Sequence, residues 1–151
     1  MSETEYLALT KDMEAIISSS RLFKSLDEAG RTETLELGYV QSFAAGEVLM
    51  QQGEPGVVMY LVMQGKVRVE TQTPGGKVHL AELGRGACIG EVSVLTGGPR
   101  TATVTAVTNV DSVGFAKHRI ERVLAAYPDV RKMLEKLIEQ RAQDTIDKIL
   151  K

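Results

Sequence analysis

Closely spaced glycines dominate the middle of this chain and limit what it can fold into. Between residues 39 and 115 a glycine falls every few positions, and the short runs between them are rich in Val, Leu and Thr. Such runs are typical of short strands joined by tight turns. Residues 67–72 alternate apolar and polar side chains, and residues 73–77 (Thr-Pro-Gly-Gly-Lys) predict a hairpin turn. A closed or rolled sheet would protect the edges of so many short strands.

Two helices are predicted before this β-rich segment. Thr10 is a suitable N-cap for a first helix, which the serines at residues 18–20 end. Residues 25–28 (Ser-Leu-Asp-Glu) have the form of a capping box that opens a second helix. We expect that helix to end near Gly38.

Two further helices are predicted after it. Ile120, Val123 and Leu124 recur at helical spacing, and Pro128 ends that helix. Asp129 is a good N-cap for the last helix, in which apolar residues recur at steps of three and four from residue 130 to residue 150. The last helix therefore has a long apolar face.

Composition argues against several classes of protein. A chain of 151 residues with 43% apolar and 25% charged residues is predicted to form one globular domain. Its net charge of −2 gives no general attraction to nucleic acid or anionic lipid. The longest apolar run, residues 57–63, is far below the ~18 residues of a membrane span, and the acidic N-terminus has no apolar signal core. The single cysteine, Cys88, permits no internal disulfide, so we expect a cytoplasmic protein.

Candidate catalytic and metal-binding residues are sparse. His79 and His118 are the only histidines, and no carboxylate–histidine pattern accompanies them, so no metal site is expected. Cys88 has no catalytic histidine pattern around it and is expected to be a small core residue. With no visible nucleophile and base, the chain is not expected to be an enzyme, although it could regulate an enzyme or a channel.

Residues 90–104 carry a chemical pattern, GEVSVLTGGPRTATV. Gly90 lets the backbone approach a ligand, and a helical turn starting near Glu91 would direct amide N–H groups at an anion. Arg100 supplies a planar fork of donors for phosphate oxygens, and Glu91 can accept hydrogen bonds from sugar hydroxyls. Pro99 pre-sets a turn that we expect to bring Arg100 beside Glu91. A sugar phosphate needs these groups.

This run resembles the phosphate-binding cassette of cyclic nucleotide-binding domains. The cassette pattern is matched at Gly90, Glu91, Leu95, Pro99, Arg100, Thr101, Ala102, Thr103 and Val104. A second match, similar to the glycine-punctuated β-roll of that family, lies upstream at residues 46–49, 53–54, 59–62 and 65–69. Three residues depart from the usual pattern just before the cassette and could reshape the sugar pocket: Ala87, Cys88 and Ile89.

The resemblance covers about residues 10–140 and implies a fold. The implied fold is α+β and mainly β: an eight-stranded antiparallel β-roll, or jelly roll, with N-terminal helices and two C-terminal helices, the last a lid. Within one domain it predicts a helical segment at 1–38, the β-roll at 39–117 with its cassette at 90–104, and hinge and lid helices at 118–151.

The resemblance also assigns site residues. The expected ligand-binding set is Gly90, Glu91, Val92, Ser93, Arg100, Thr101, Ala102 and Thr103. The expected base pocket is Val67, Val69, Leu83, Ile89, Leu134, Ile138 and Arg141. The lid would turn on a hinge at residues 127–129. Ile146, Ile149 and Leu150 lie beyond the expected reach of the lid and would contact a homodimer partner or continue into an effector domain.

The implied function is sensing of a cyclic purine mononucleotide without a further cofactor. Cyclic AMP is the usual ligand of similar single domains, while the Thr101 hydroxyl keeps cyclic GMP open. Binding would move the C-terminal helix and signal to an effector domain or partner outside this chain. Two alternatives stay open: a ligand-free β-roll that binds proteins, and the dimerising sensor half of a transcription regulator. Neither nucleic acid nor a membrane is an expected partner of this chain alone.

Overall fold

The computed structural model describes residues 2–150, which form five helices and eight strands. The helices are α1 (Glu3–Ser19), α2 (Glu28–Leu37), α3 (Glu91–Thr96), α4 (Lys117–Ala126) and α5 (Pro128–Ile149). The strands are β1 (Tyr39–Phe43), β2 (Val48–Met50), β3 (Val58–Gln64), β4 (Val67–Thr73), β5 (Gly76–Leu83), β6 (Cys88–Ile89), β7 (Thr103–Ala106) and β8 (Val110–Ala116).

The eight strands form two antiparallel sheets of four strands each. Their orders are β1-β8-β3-β6 and β2-β7-β4-β5. In the second sheet Val67 of β4 pairs with Leu83 on one side and Ala106 on the other. The predicted hairpin turn joins β4 to β5, where Thr73 pairs with Gly76. The expected eight-stranded antiparallel β-roll with flanking helices is confirmed.

Strand β3 explains the long apolar run of the sequence. Met59, Leu61 and Met63 face a core that the sheet shares with the helices. Tyr60 and Val62 face the interior of the roll. Because successive side chains of a strand point to opposite faces, a strand with a core on both sides must be apolar throughout. Strand β3 therefore joins the interior of the roll to the helical core.

Both N-terminal helices exist, but their predicted N-caps were wrong. The cap of α1 is Ser2, whose hydroxyl accepts the Glu5 N–H at 3.1 Å, while Thr10 lies inside the helix. The cap of α2 is Asp27, which accepts the Gly30 N–H at 2.8 Å, so residues 25–28 do not form a capping box. The predicted helix ends, at the serines and near Gly38, are confirmed.

The two C-terminal helices meet at a single residue, Tyr127. It follows α4 and occupies the N-cap position of α5, so the prediction that Asp129 caps the last helix was wrong. Pro128 is the first residue of α5, where its missing N–H costs nothing. The Tyr127 hydroxyl donates to Glu33 Oε2 on α2 at 3.1 Å. This contact ties the junction to the N-terminal helices.

None of the helices within residues 2–150 is long and apolar enough to cross a membrane.

Phe115→Ala should lower the free energy of unfolding by about 3–5 kcal/mol, as expected when a buried aromatic ring is removed. Phe115 is fully buried, and its ring centroid lies 5.6 Å from that of Phe23, so the variant leaves a cavity between roll and helices. Urea denaturation followed by circular dichroism measures the change. Val107→Ala, an exposed control, should shift stability by less than about 0.5 kcal/mol. A loss below about 1 kcal/mol for Phe115→Ala would contradict a shared core.

Candidate ligand-binding site

A cavity of about 490 Å³ opens between the second sheet, the cassette and the C-terminal half of α5. The sheet side is apolar and consists of Met50, Val69, Leu80, Ala81, Leu83 and Val104 of the second sheet, together with Ile89 of β6 in the first sheet. The cassette side consists of Gly90, Glu91, Val92, Ser93, Arg100, Thr101 and Ala102. The helix side consists of Ile138, Arg141, Ala142, Asp144, Thr145, Ile146 and Lys148. An apolar wall with a few convergent polar groups is the usual form of a small-molecule site.

Gly90 shapes the entrance to helix α3. Its φ of +81° lies in the left-handed region, and a Cβ added there would lie 2.5 Å from Arg100 Nη1. Because glycine has no side chain, no side-chain cap covers the start of α3. The first N–H groups of a helix have no acceptor within the helix. The predicted helical turn at Glu91 is therefore present beside the arginine.

Arg100 is buried, with only 7% of its surface exposed. Its Nη2 donates to the Val58 carbonyl at 2.7 Å, and its Nη1 donates to the Gly90 carbonyl at 3.3 Å. Burial lowers the pKa of the guanidinium, while nearby Tyr60 and Glu91 oppose that shift. The group stays charged at neutral pH. A buried cation whose hydrogen-bond acceptors are neutral carbonyls is a strong site for an anion.

Glu91 is even more buried, at 3% exposed, and its partner is not Arg100. Arg141 Nη1 of α5 donates to Glu91 Oε1 and forms an ion pair with it. Arg100 does return to the same cavity wall as Glu91, as expected from the turn at Pro99, but Glu91 is paired with Arg141 of α5. Arg141, expected to face a base, lines the cavity and also links α5 to the cassette.

Twelve of the fifteen predicted site residues line the cavity, and three do not: Val67, Thr103 and Leu134. Val67 points into the roll interior. The Thr103 hydroxyl accepts the Gln52 N–H at 3.1 Å, on the face of β7 opposite the buried Val104. Leu134 is fully buried in the core between the helices and the first sheet.

The part of α5 that covers the cavity lies further along the chain than the sequence predicted. Ile146, expected to lie beyond its reach, lines the cavity together with Ala142 and Thr145. Residues 138, 142 and 145 follow the same helical spacing as the apolar face, which was the available signal. Ile149 and Leu150 are exposed and lie outside the cavity.

The sequence profile of the cyclic nucleotide-binding domain matches residues 40–127. The chain belongs to the cyclic nucleotide-binding domain family. The resemblance seen in the cassette is confirmed, and the cavity lies where the matched strands and the cassette meet. Within residues 2–150 no group of three or more His, Cys, Asp or Glu side chains is placed to hold a metal ion.

Similar proteins include regulators of two kinds. The chain is 25% identical over 134 residues to a CRP-like cAMP-activated global transcriptional regulator of Mycobacterium tuberculosis, covering 88% of this chain and 60% of that protein. The N-terminal domain of a transcriptional regulator from Streptomyces coelicolor A3(2) has a TM-score of 0.67 and 32% identity, covering 87% of this chain and 95% of that one. The regulatory domain of Toxoplasma gondii PKA, crystallised with cAMP, has a TM-score of 0.72 and 25% identity, covering 82% and 46%. The chain thus spans 60% of the length of the mycobacterial regulator.

Cys88 lies two residues before the first residue of the cassette, and its thiol should stay protonated in the folded state. Burial, and secondarily Glu91, raise the pKa of the thiol, while Arg141 opposes the shift. An unfolded thiol ionises at about pH 8.5, so the unfolded state loses a proton that the folded state keeps. The free energy of unfolding should therefore fall by about 1 kcal/mol from about pH 8 to pH 9.5 through this group.

Urea denaturation at several pH values checks this prediction, with Cys88→Ala as the control. The alanine variant should lack that part of the decline with pH. Tyr39, Tyr60 and Tyr127 do not disturb the comparison, because burial raises the pKa of each phenol above its ordinary value of 10.0, which already lies above the window. Parallel curves for the parent and Cys88→Ala would show that the thiol ionises equally in both states.

Proposed function

We propose that this domain binds a cyclic purine mononucleotide in the cavity and signals through α5 to a partner or effector domain. The observation that carries the proposal is the buried Arg100, held by neutral carbonyls at the edge of an apolar cavity that also contains the buried Glu91. The T. gondii regulatory domain crystallised with cAMP and the cAMP-activated mycobacterial regulator support this ligand class. Both cyclic AMP and cyclic GMP fit the proposal.

Each wall of the cavity has a proposed role. Arg100 and the backbone N–H groups at the start of α3 neutralise the cyclic phosphate. Glu91 accepts a hydrogen bond from the ribose hydroxyl. The apolar sheet wall, with Val69 and Leu83, encloses the base from one side, and Ile138 of α5 covers it from the other.

The Glu91–Arg141 ion pair gives the proposed signal a physical basis. A carboxylate has about four lone-pair sites, so Glu91 can accept from a ribose hydroxyl and from Arg141 together. A ligand that uses Glu91 therefore changes the anchor that holds α5 over the cavity. Since a ligand shifts an equilibrium only through differential affinity, the nucleotide must contact α5 or its anchor more favourably in one position of the helix.

The output of the domain is proposed to leave through the end of α5. Ile149 and Leu150 are exposed, at 44% and 79%, and lie next to the part of the helix that covers the cavity. They suit a homodimer contact or an effector domain, in a cytoplasmic regulator. The sensor half of a transcription regulator remains the second candidate, because the Streptomyces domain is the N-terminal part of such a protein.

Arg100→Ala should weaken binding of cyclic AMP or cyclic GMP by about 10- to 150-fold, the effect of losing hydrogen bonds to a charged group. Arg100→Lys should recover only part of the loss, because a point charge cannot replace the bidentate fork. Isothermal titration of the full chain with both nucleotides measures the change. Arg122→Ala, an exposed control on α4, should bind like the parent. A parent chain that binds neither nucleotide would refute the proposed function.

Glu91→Gln should also weaken binding, and the loss should depend on the ribose hydroxyl. A 2′-deoxy cyclic nucleotide lacks that donor and should therefore lose less affinity on this change than the natural ligand does. Titration of parent and variant with both ligands completes the cycle. Equal losses for the two ligands would show that Glu91 does not hold the 2′-hydroxyl.

Arg141→Gln should loosen the C-terminal half of α5. Because glutamine is uncharged, the variant loses the ion pair with Glu91. Backbone amides over residues 138–148 should therefore exchange hydrogen faster in the absence of ligand. Hydrogen exchange with mass spectrometry measures this, and nucleotide should slow exchange of the same residues in the parent. Arg131→Gln breaks an exposed pair with Glu135 on the same helix and is the matched control. Equal effects of the two variants would show that the Glu91 contact does not hold the helix.

A further inference from the structure

Gly56, in the turn between β2 and β3, lies directly against the cassette. A Cβ added at Gly56 would lie 2.6 Å from Ser93 Oγ and 2.8 Å from Arg100 Nη1, and it would overlap Ser93 Cβ. Gly56 is not one of the glycines with a positive φ. The backbone conformation therefore does not demand glycine at this position, and the missing side chain is what leaves room for the two cassette residues.

The same short segment also holds the backbone of Arg100. The Arg100 N–H donates to the Glu54 carbonyl at 2.8 Å, and the Gly53 N–H donates to the Arg100 carbonyl at 2.9 Å. Pro55 and Pro99 form an isolated antiparallel bridge between the two chain segments. Two residues after Gly56, the Val58 carbonyl accepts the Arg100 side chain at 2.7 Å. Main chain and guanidinium of Arg100 are thus positioned by residues 53–58.

We propose that Gly56 is a positioning residue for Arg100, and that residues 53–58 set the depth and orientation of its guanidinium. This inference rests on the proposed nucleotide function. A bidentate contact with phosphate oxygens depends on the direction of the planar fork as well as on its charge. A methyl group at residue 56 would displace Nη1 and the Ser93 side chain and so change the direction of the fork. The positioning role goes beyond the cassette itself, because residues 53–58 lie outside residues 90–104.

The test is isothermal titration of the Gly56→Ala variant of this chain with cyclic AMP and cyclic GMP. Affinity should fall at least about 10-fold, at the lower end of the loss for Arg100→Ala. Gly75→Ala is the matched control, because Gly75 lies in the β4–β5 turn and has no positive φ. The nearest atom to a Cβ added there is Thr73 Oγ1, at 3.7 Å. Gly75→Ala should bind like the parent.

A double-mutant cycle separates positioning from general packing. If Gly56 acts through the arginine, Gly56→Ala should cause little further loss when Arg100 is already alanine. An equal loss in both backgrounds, or parent-like binding by Gly56→Ala, would overturn the inference while leaving the proposed function intact. A parent that binds neither nucleotide would overturn the proposed function first.

A second variant covers the case in which Gly56→Ala does not fold, as judged by circular dichroism. Pro55→Gly adds no atom near Ser93 or Arg100 but frees the backbone beside the Pro99 bridge. Pro55→Gly should weaken nucleotide binding more in the parent chain than in the Arg100→Ala background. Affinity equal to that of the parent would contradict a positioning role for this segment.

Discussion

The double burial of strand β3 is the constraint on which the rest of this structure depends. One face of the strand fills the roll interior, and the other supports the helices. Its start also joins the site to the helices: the Val58 carbonyl accepts from the Arg100 side chain, and the Val57 carbonyl accepts the N–H of Lys117, the first residue of α4, at 2.8 Å. A change in the position of Arg100 therefore acts one peptide away from the contact with the first C-terminal helix.

The charges in the cavity favour a ligand with a single negative charge. Arg100, Arg141 and Lys148 line it together with Glu91 and Asp144, which leaves one excess positive charge. Arg141 is paired with Glu91, and Asp144 and Lys148 are solvent-exposed charges of opposite sign, which leaves the buried Arg100 against neutral carbonyls. Bringing a phosphate diester to that position replaces weak neutral acceptors with a charged one. A more highly charged phosphate would leave negative charge unmatched in an apolar cavity.

Local patterns predicted the β-roll and most of the candidate site, because both depend on the spacing of residues that are close in the sequence. Glycine spacing predicted the turns, and the cassette pattern brought Glu91 and Arg100 to one cavity. Strand alternation could have excluded Thr103, which lies on the opposite face of β7 from the buried Val104. The Glu91–Arg141 pair joins residues 50 positions apart, so no local pattern could reveal it. Helical periodicity likewise gave the apolar face of α5 but not the place along its axis where that face meets the roll.

The place along α5 where its apolar face meets the roll bears on which part of the helix could move. A hinge at residues 127–129 would have to pull Val130 and Leu134 out of the helical core, and both are fully buried. Exposing each costs about 1.5–3 kcal/mol, and the Tyr127–Glu33 hydrogen bond resists the same motion. Beyond Leu134 the helix is held by half-buried Leu137 and Ile138, by Ile146, which is 49% exposed, and by the Glu91–Arg141 pair. With Arg141 one-third exposed, that pair contributes on the order of 1 kcal/mol. We therefore expect a nucleotide with modest differential affinity to release the second set of contacts but not the first, and the movable part of α5 to begin after Leu134.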